Sequence, residues 1–164
     1  MRKKPETSLR TRALQYLARR EYSRAELRAK LLPHLQRDEE FDGVSFDHAP
    51  GEDLDALLDD LTQRGWLSDE RAATQLLHAK RGRYGTQRIT HELRQRGIGE
   101  TLIAEALPEL KESELATARE VWRKKFGVLP QDAKEKARQM RFLQSRGFGF
   151  EVVARVLRLG PDGD

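Results

Sequence analysis

The segment from Leu54 to Lys80 reads LDALLDDLTQRGWLSDERAATQLLHAK, and it decides the fold class. Its apolar residues recur at spacings of three and four, the period of one face of an α-helix, rather than at the spacing of two that a strand requires. Gly65 is a helix stop, and Ser68 followed by two acids begins the next helix at the positive end of its dipole. The segment therefore predicts two amphipathic helices joined by a short corner.

The same pattern extends in both directions along the chain. Leu occurs 23 times and Ile plus Val only nine times, which favours helices over strands. Ser23 and Glu26 form a capping box at the start of the second helix, and Pro33 is expected to end or kink that helix. Pro108 suits the first position of a later, longer helix. We expect an all-α chain of about nine helices.

A short motif, Leu-x-x-Arg-Gly followed by an apolar residue, recurs at three predicted helix ends. The copies are residues 61–66, 93–98 and 143–148. In each copy the Leu is expected to be the last inward residue of a helix, the Gly to supply a left-handed turn, and the apolar residue to fill the corner. The recurring corners predict tandem three-helix repeats in an elongated, curved array. The three predicted repeats cover residues 1–67, 68–110 and 111–164.

Charge is distributed in blocks along the 164 residues, although the formal net charge is only +4. Residues 1–37 hold 11 Lys and Arg against three acids, whereas residues 38–60 hold ten acids and no Lys or Arg. Separate faces can therefore attract a polyanion even though the whole molecule is nearly neutral. We expect an acidic loop at residues 38–52, and we hypothesise that it folds over the basic first repeat and competes with a polyanion.

Several classes of protein are excluded by residues that the chain lacks. With no Cys, a disulfide, a thiolate zinc site, an iron–sulfur cluster and a cysteine nucleophile are all excluded. No apolar run approaches the ~20 residues of a membrane span and no secretory signal is visible, so we expect a cytoplasmic location and no membrane contact. No two of the four His residues share a helical ligand spacing, and no catalytic or phosphate-loop motif occurs. We therefore expect no enzymatic activity, no metal and no cofactor.

The remaining chemistry is cationic surface carried on helices. Basic side chains recur at spacings of three and four, and an aromatic ring beside them can stack on a base or sugar. Each cation alone is explained by a soluble helix face, but as a set they favour an acidic or phosphate-bearing partner bound in a salt-sensitive manner. The predicted partner-binding and nucleic-acid-binding residues are Arg19, Arg20, Arg24, Arg28, Lys80, Arg81, Arg83, Tyr84, Arg88, Arg94, Lys134, Arg138 and Arg141.

Four stretches of the chain resemble the RecX family of bacterial recombination regulators. They are residues 13–31, 61–71, 83–98 and 141–148, in the order and spacing of the family. The resemblance implies three tandem three-helix repeats that lie in the groove of the RecA filament on single-stranded DNA. It also implies a modulator that restrains ATP hydrolysis, strand exchange and filament growth without being an enzyme. The acidic segment between the second and third helices is longer than is usual in the family.

Two other functions are compatible with a helical, basic chain. A helix-turn-helix-like regulator would read duplex DNA directly, but its recognition helix needs residues such as Asn, and the chain contains none. A metal-dependent nuclease built on the acidic segment would require Asp42 and Asp47 for cleavage. We therefore expect a monomeric protein that binds RecA and binds single- or double-stranded DNA weakly and in a salt-dependent manner.

Overall fold

The protein is all-helical in the computed structural model, which describes residues 7–42 and 50–161, with side chains at 7–35 and 53–161. This confirms the predicted fold class, and within those ranges there is no strand. The eight helices are α1 (Leu9–Arg19), α2 (Arg24–Asp42), α3 (Pro50–Gln63), α4 (Asp69–Lys80), α5 (Thr86–Gln95), α6 (Glu100–Lys125), α7 (Ala133–Ser145) and α8 (Phe150–Leu159).

Two prolines predicted to mark helix ends lie inside helices. α6 continues through Pro108, so the predicted sixth and seventh helices are one, and the described chain has eight helices instead of nine. α2 likewise continues through Pro33. A proline deprives the carbonyl four residues earlier of its donor, but Ala104 and Ala29 are both exposed, so water can bond those carbonyls.

The predicted acidic loop at residues 38–52 is wrong at both ends. α2 continues to Asp42, and α3 begins at Pro50. Pro50 occupies the first helical position, where its missing N–H costs nothing, and acids follow it in the first turn, where the helix dipole favours them. Residues 43–49 lie outside the described part of the chain, and so does the hypothesised contact of this segment with the first repeat.

The helices belong to two compact units. The first unit contains α1, α2, α3, the first turn of α4 and the Arg96–Ile98 turn, and the second contains the remainder. The core of the first unit is built from one apolar face of each of its helices, with Ala13, Leu27 and Leu58 all fully buried.

The second unit is packed around one long helix. α6 contributes Ala118 and Trp122, which pack with Leu143 of α7 and with Val153 of α8. Trp122 is 1% exposed, and its indole Nε1 donates to Oε1 of the buried Gln139 at 2.8 Å. A buried polar group needs such a partner, because an unpaired one costs about 1–3 kcal/mol. In the described residues, no helix is both long enough and apolar enough to cross a bilayer.

The three corner motifs have the predicted backbone. Gly65, Gly97 and Gly147 have φ of +75°, +74° and +90°, the left-handed region that favours glycine. The apolar residue fills the corner in two copies, since Ile98 and Phe148 are buried.

The first copy of the motif differs from the other two. Trp66 is 45% exposed, so the prediction that it fills a corner is wrong, and Leu67, 2% exposed, is buried there instead. The backbone explains the exchange, because the N–H groups of Trp66 and Leu67 both donate to the carbonyl of Leu61.

Candidate nucleic-acid interface

The loop before α5 packs backbone to backbone against the turn after α7, within the second unit. The N–H of Gly85 donates to the carbonyl of Arg146 at 2.8 Å, and the N–H of Gln87 donates to the carbonyl of Gly147 at 3.1 Å. A Cβ on Gly85 would lie 2.3 Å from that Gly147 oxygen, so only glycine permits the approach. We call this contact the Gly85–Gly147 junction.

The Gly85–Gly147 junction gathers cations around one aromatic ring. The Tyr84 ring centroid lies 4.1 Å from Cζ of Arg88, 5.0 Å from Nζ of Lys80 and 5.3 Å from Cζ of Arg146. These distances are within the range of cation–π attraction, which holds the side chains together at the surface.

A second ring extends this cluster along α7. Cζ of Arg146 lies 5.2 Å from the Phe142 ring, and Nζ of Lys125 lies 5.4 Å from the same ring. Arg146 therefore joins the two aromatic rings. We name the resulting set the Tyr84 surface, which consists of Lys80, Tyr84, Arg88, Lys125, Phe142 and Arg146.

The Tyr84 surface is positively charged even after its internal ion pairs are counted. Glu92 is its one carboxylate partner among the described side chains, at 3.5 Å from Nε of Arg88 and 3.9 Å from Nζ of Lys80. Arg146 and Lys125 have no carboxylate partner within the described residues. Four cations facing one carboxylate, beside two aromatic rings, can bind phosphates and stack bases.

A related junction occurs in the first unit. The hydroxyl of Ser23 donates to the carbonyl of Arg96, and a Cβ on Gly97 would lie 2.4 Å from Cβ of Ala25. Ser23 also caps α2 as predicted, because its Oγ accepts from the N–H of Glu26 at 3.1 Å and the Glu26 carboxylate accepts from the N–H of Ser23 at 3.0 Å. The start of a middle helix thus packs on an Arg-Gly turn in both units.

The cations of the first unit are largely engaged within the fold. Arg20 donates to Glu26 and lies 3.7 Å from the Tyr22 ring centroid, and the hydrogen bond to Glu26 raises the pKa of Arg20. Arg24 pairs with Asp59 at 2.7 Å. Among the predicted cations of this unit, only Arg19 is without a carboxylate partner in the described range.

Arg28 is paired as well. Its Nε lies 3.2 Å from a carboxylate oxygen of Asp55 on α3. Acids of α3 therefore neutralise the predicted basic spacing on α2, and a polyanion would have to compete with them.

Three of the predicted cations that lie in the second unit but outside the Tyr84 surface belong to α5 or to the loop before it. Arg81 pairs with Glu109 at 2.6 Å. Arg94 donates to Glu100 at 2.8 Å, a hydrogen bond that lowers the pKa of Glu100. Arg83 is exposed and donates to the carbonyl of Ala79, so its charge is not paired with a described carboxylate.

The basic stripe predicted on α7 is exposed. Lys134 and Arg141 have no carboxylate partner in the described chain, whereas Arg138 pairs with Glu135 at 3.4 Å. Cζ of Arg138 also lies 5.5 Å from the Phe126 ring. The stripe is therefore a second cationic face of the same unit, carried by the helix that supplies Phe142.

Sequence reasoning missed Arg146, Lys125 and Phe142 as binding candidates. In the sequence, Arg146 is explained as the Arg of a corner motif at a helix end. That explanation gives no indication that its side chain lies beside two aromatic rings. The signal that could have found it is the sequence beside it, because Arg146 lies four residues after Phe142, a spacing that brings two side chains together on a helix. Among the described residues, no three His, Asp or Glu side chains are grouped as a metal site.

Comparison with known proteins places this geometry in a family. Residues 68–107 match the second three-helix domain of RecX, and residues 112–157 match the third. The regulatory protein RecX of Leptothrix cholodnii is 46% identical over 95% of this chain and 91% of its own length. That of Chromobacterium violaceum is 45% identical over 96% of this chain and 93% of its own length.

Two solved structures share the fold. The crystal structure of RecX from Lactobacillus salivarius superposes with a TM-score of 0.63 at 16% identity, over 92% of each chain. A second crystal structure of a regulatory protein RecX gives a TM-score of 0.67 at 21% identity, over 90% of this chain and 70% of that one. Two matching domains and near full-length relatives lead to one conclusion: the chain belongs to the RecX family of regulatory proteins.

Proposed function

We propose that this protein binds RecA and the RecA filament on single-stranded DNA, and restrains its ATP hydrolysis, strand exchange and extension. It acts in the cytoplasm, as a monomer and without catalytic chemistry of its own, during recombination and the SOS response to DNA damage. RecA is proposed as the partner because the chain resembles the RecX family. The main structural support for the proposal is the Tyr84 surface, where four cations lie beside two aromatic rings.

The Tyr84 surface suits a filament that carries nucleic acid. Its cations are held by rings and by the Gly85–Gly147 junction, so little side-chain freedom is lost when a phosphate binds. A stacked base contributes about 1–3 kcal/mol, and each phosphate contact adds a salt-dependent increment. Such a surface gives weak DNA binding alone and tighter binding where a protein partner supplies further contacts.

The primary experiment follows RecA's ATP hydrolysis on single-stranded DNA while this protein is added at a small fraction of the RecA concentration. A parallel titration measures DNA binding without RecA at two salt concentrations. We expect inhibition well below one protein per RecA, with weak and salt-sensitive DNA binding alone. Unchanged hydrolysis together with tight, sequence-dependent duplex binding would instead support a helix-turn-helix-like regulator.

Variants separate the Tyr84 surface from the rest of the molecule. Lys125→Glu should weaken DNA binding and reduce the slope of log K against log salt by about one or more. Tyr84→Leu should weaken binding by about fivefold or more with little change in that slope, because stacking is lost and charge is not. Lys111→Glu is the matched control, since Lys111 is exposed on α6 and pairs with no described carboxylate. Equal effects of the Lys125 and Lys111 substitutions would exclude the Tyr84 surface as the binding site.

A further inference from the structure

A groove lies on the second unit, and none of the predicted nucleic-acid-binding residues lines it. It has a volume of about 800 Å³ and is lined by the 126–132 loop, α7 and α8. Its lining includes Leu129, Met140, Phe150 and Leu157. None of these residues belongs to the Tyr84 surface.

The apolar wall of this groove is held open to solvent. Two of its lining residues are open to solvent, since Phe150 is 65% exposed and Leu129 is 36% exposed. Large side chains with that exposure, gathered at one concave site, are typical of an interaction surface.

Hydrogen bonds of the buried Gln139 fix the loop that carries Leu129. Nε2 of the buried Gln139 donates to the carbonyl of Val128 at 3.1 Å, while its Oε1 accepts from Trp122. On the other side, Leu129 packs against Gly160, where a Cβ would lie 3.1 Å from Cδ1 of Leu129. Leu129 is thus held in place by the core, and a partner that buries it loses little entropy in ordering the loop.

Charge around the groove indicates what it binds. Lys136, Arg155 and Arg158 line it, and none of them pairs with a carboxylate among the described side chains. Glu151 is the one acid in the lining. Three unpaired cations around an apolar floor complement a ligand that has carboxylates at its edge and apolar side chains in its centre.

We propose that this groove binds an acidic peptide segment that carries Leu or Phe side chains, supplied by a partner protein. Nucleic acid fits this groove less well, because protein–DNA interfaces are polar. The apolar side chains of Leu129, Met140 and Leu157 cannot form hydrogen bonds or ion pairs with a sugar–phosphate backbone. The inference is independent of the proposed action on RecA, since it uses neither the Tyr84 surface nor DNA.

The test is fluorescence anisotropy of a labelled synthetic peptide that alternates Glu with Leu and Phe, titrated with the full-length protein. We expect saturable binding that Phe150→Ser weakens by about tenfold, because an exposed apolar anchor is removed without disturbing the core. The double substitution Arg155→Glu and Arg158→Glu should weaken it at least as much. Lys111→Glu is the control and should leave the affinity unchanged. Circular dichroism of each variant verifies that the helices remain.

Four outcomes would overturn the inference. One is the absence of saturable binding, and another is equal affinity for a control peptide in which Lys replaces Glu. A third is displacement of the peptide by single-stranded DNA, which would assign the groove to the polyanion surface. The fourth is self-association, measured by sedimentation, that is abolished by Phe150→Ser, which would assign the groove to a second copy of the chain.

Discussion

Replacing Gly85 with Ala should break the contact on which the Tyr84 surface depends. The new Cβ would lie 2.3 Å from the carbonyl oxygen of Gly147, 2.4 Å from its carbonyl carbon and 2.5 Å from the N of Phe148. All three are backbone atoms, so no side-chain rotation relieves the clash, and the loop before α5 must move away from the turn after α7.

The expected magnitude combines two costs. Moving the loop removes the hydrogen bonds donated by Gly85 at 2.8 Å and Gln87 at 3.1 Å. Each contributes about 1 kcal/mol net, and overpacking typically adds about 1–3 kcal/mol. We therefore expect the free energy of unfolding of the second unit to fall by about 3–5 kcal/mol. With a urea m-value of about 2 kcal/mol/M, the unfolding midpoint should fall by about 1.5–2.5 M.

Trp122 reports on this unit, because it is 1% exposed in the core that α6, α7 and α8 share. The chain has two Trp residues, so the measurement uses a Trp66→Phe background, a change at a side chain that is 45% exposed. Urea unfolding is then followed by Trp122 fluorescence. The same variant should also lose DNA affinity, since Arg146 and Tyr84 separate.

Gly99→Ala is the matched control. Gly99 precedes α6 as Gly85 precedes α5, and the carbonyl of each accepts the first helical hydrogen bond at 3.2 Å. A Cβ on Gly99, however, would have no heavy atom within 4 Å. Both variants therefore include the cost of placing Ala at a helix start. The difference between their free energies of unfolding measures the contribution of the Gly85–Gly147 junction. A difference below about 0.5 kcal/mol would refute the reasoning.

Three further predictions concern single contacts. Gln139→Leu should lower the free energy of unfolding by about 2 kcal/mol in thermal melts, because the Trp122 indole N–H loses its acceptor; a loss equal to that of an exposed substitution would contradict this. Ser23→Ala removes a cap that is fully buried and should cost about 1–2 kcal/mol by urea unfolding, whereas an unchanged midpoint would count against the capping role. The hydrogen bond from Arg94 lowers the pKa of Glu100 below its ordinary 4.5, so the stabilising effect of this pair is complete above about pH 4.5 and is lost as pH falls through the lowered pKa. Arg94→Ala should raise the titration midpoint of the Glu100 carboxyl in NMR, and an unmoved midpoint would show that the pair does not form in solution.

Local signals account for most of what the sequence predicts correctly. The capping box of Ser23 and the glycine turn at Gly147 depend on residues within one helical turn, and they form as expected. The two prolines do not end their helices, because the lost hydrogen bond is tolerated where the freed carbonyl can reach water. Ala104 and Ala29 are both exposed, so water has access to their carbonyls.

The candidate site is harder to predict because its partners are distant in sequence. The spacing of Arg24 and Arg28 predicts a cationic face on α2, but acids of α3 pair with both residues. Tyr84 and Arg146 come together only because two glycines allow backbones to touch. The spacing of residues along a helix predicts which face of that helix a side chain occupies. It does not predict which residues of another helix pack against that face.

The unbroken α6 has a consequence for how the molecule can be divided. The matches to the second and third RecX domains end at residue 107 and begin at residue 112, so the border between them falls inside one hydrogen-bonded helix. A fragment cut at that border would expose fresh helix ends and separate Ile103 from Leu110, both buried. Although the two matches are to separate three-helix domains, the unbroken helix should make residues 100–161 unfold as a single cooperative body in heat and urea, and amide hydrogens on both sides of Pro108 should exchange at one common rate-limiting opening.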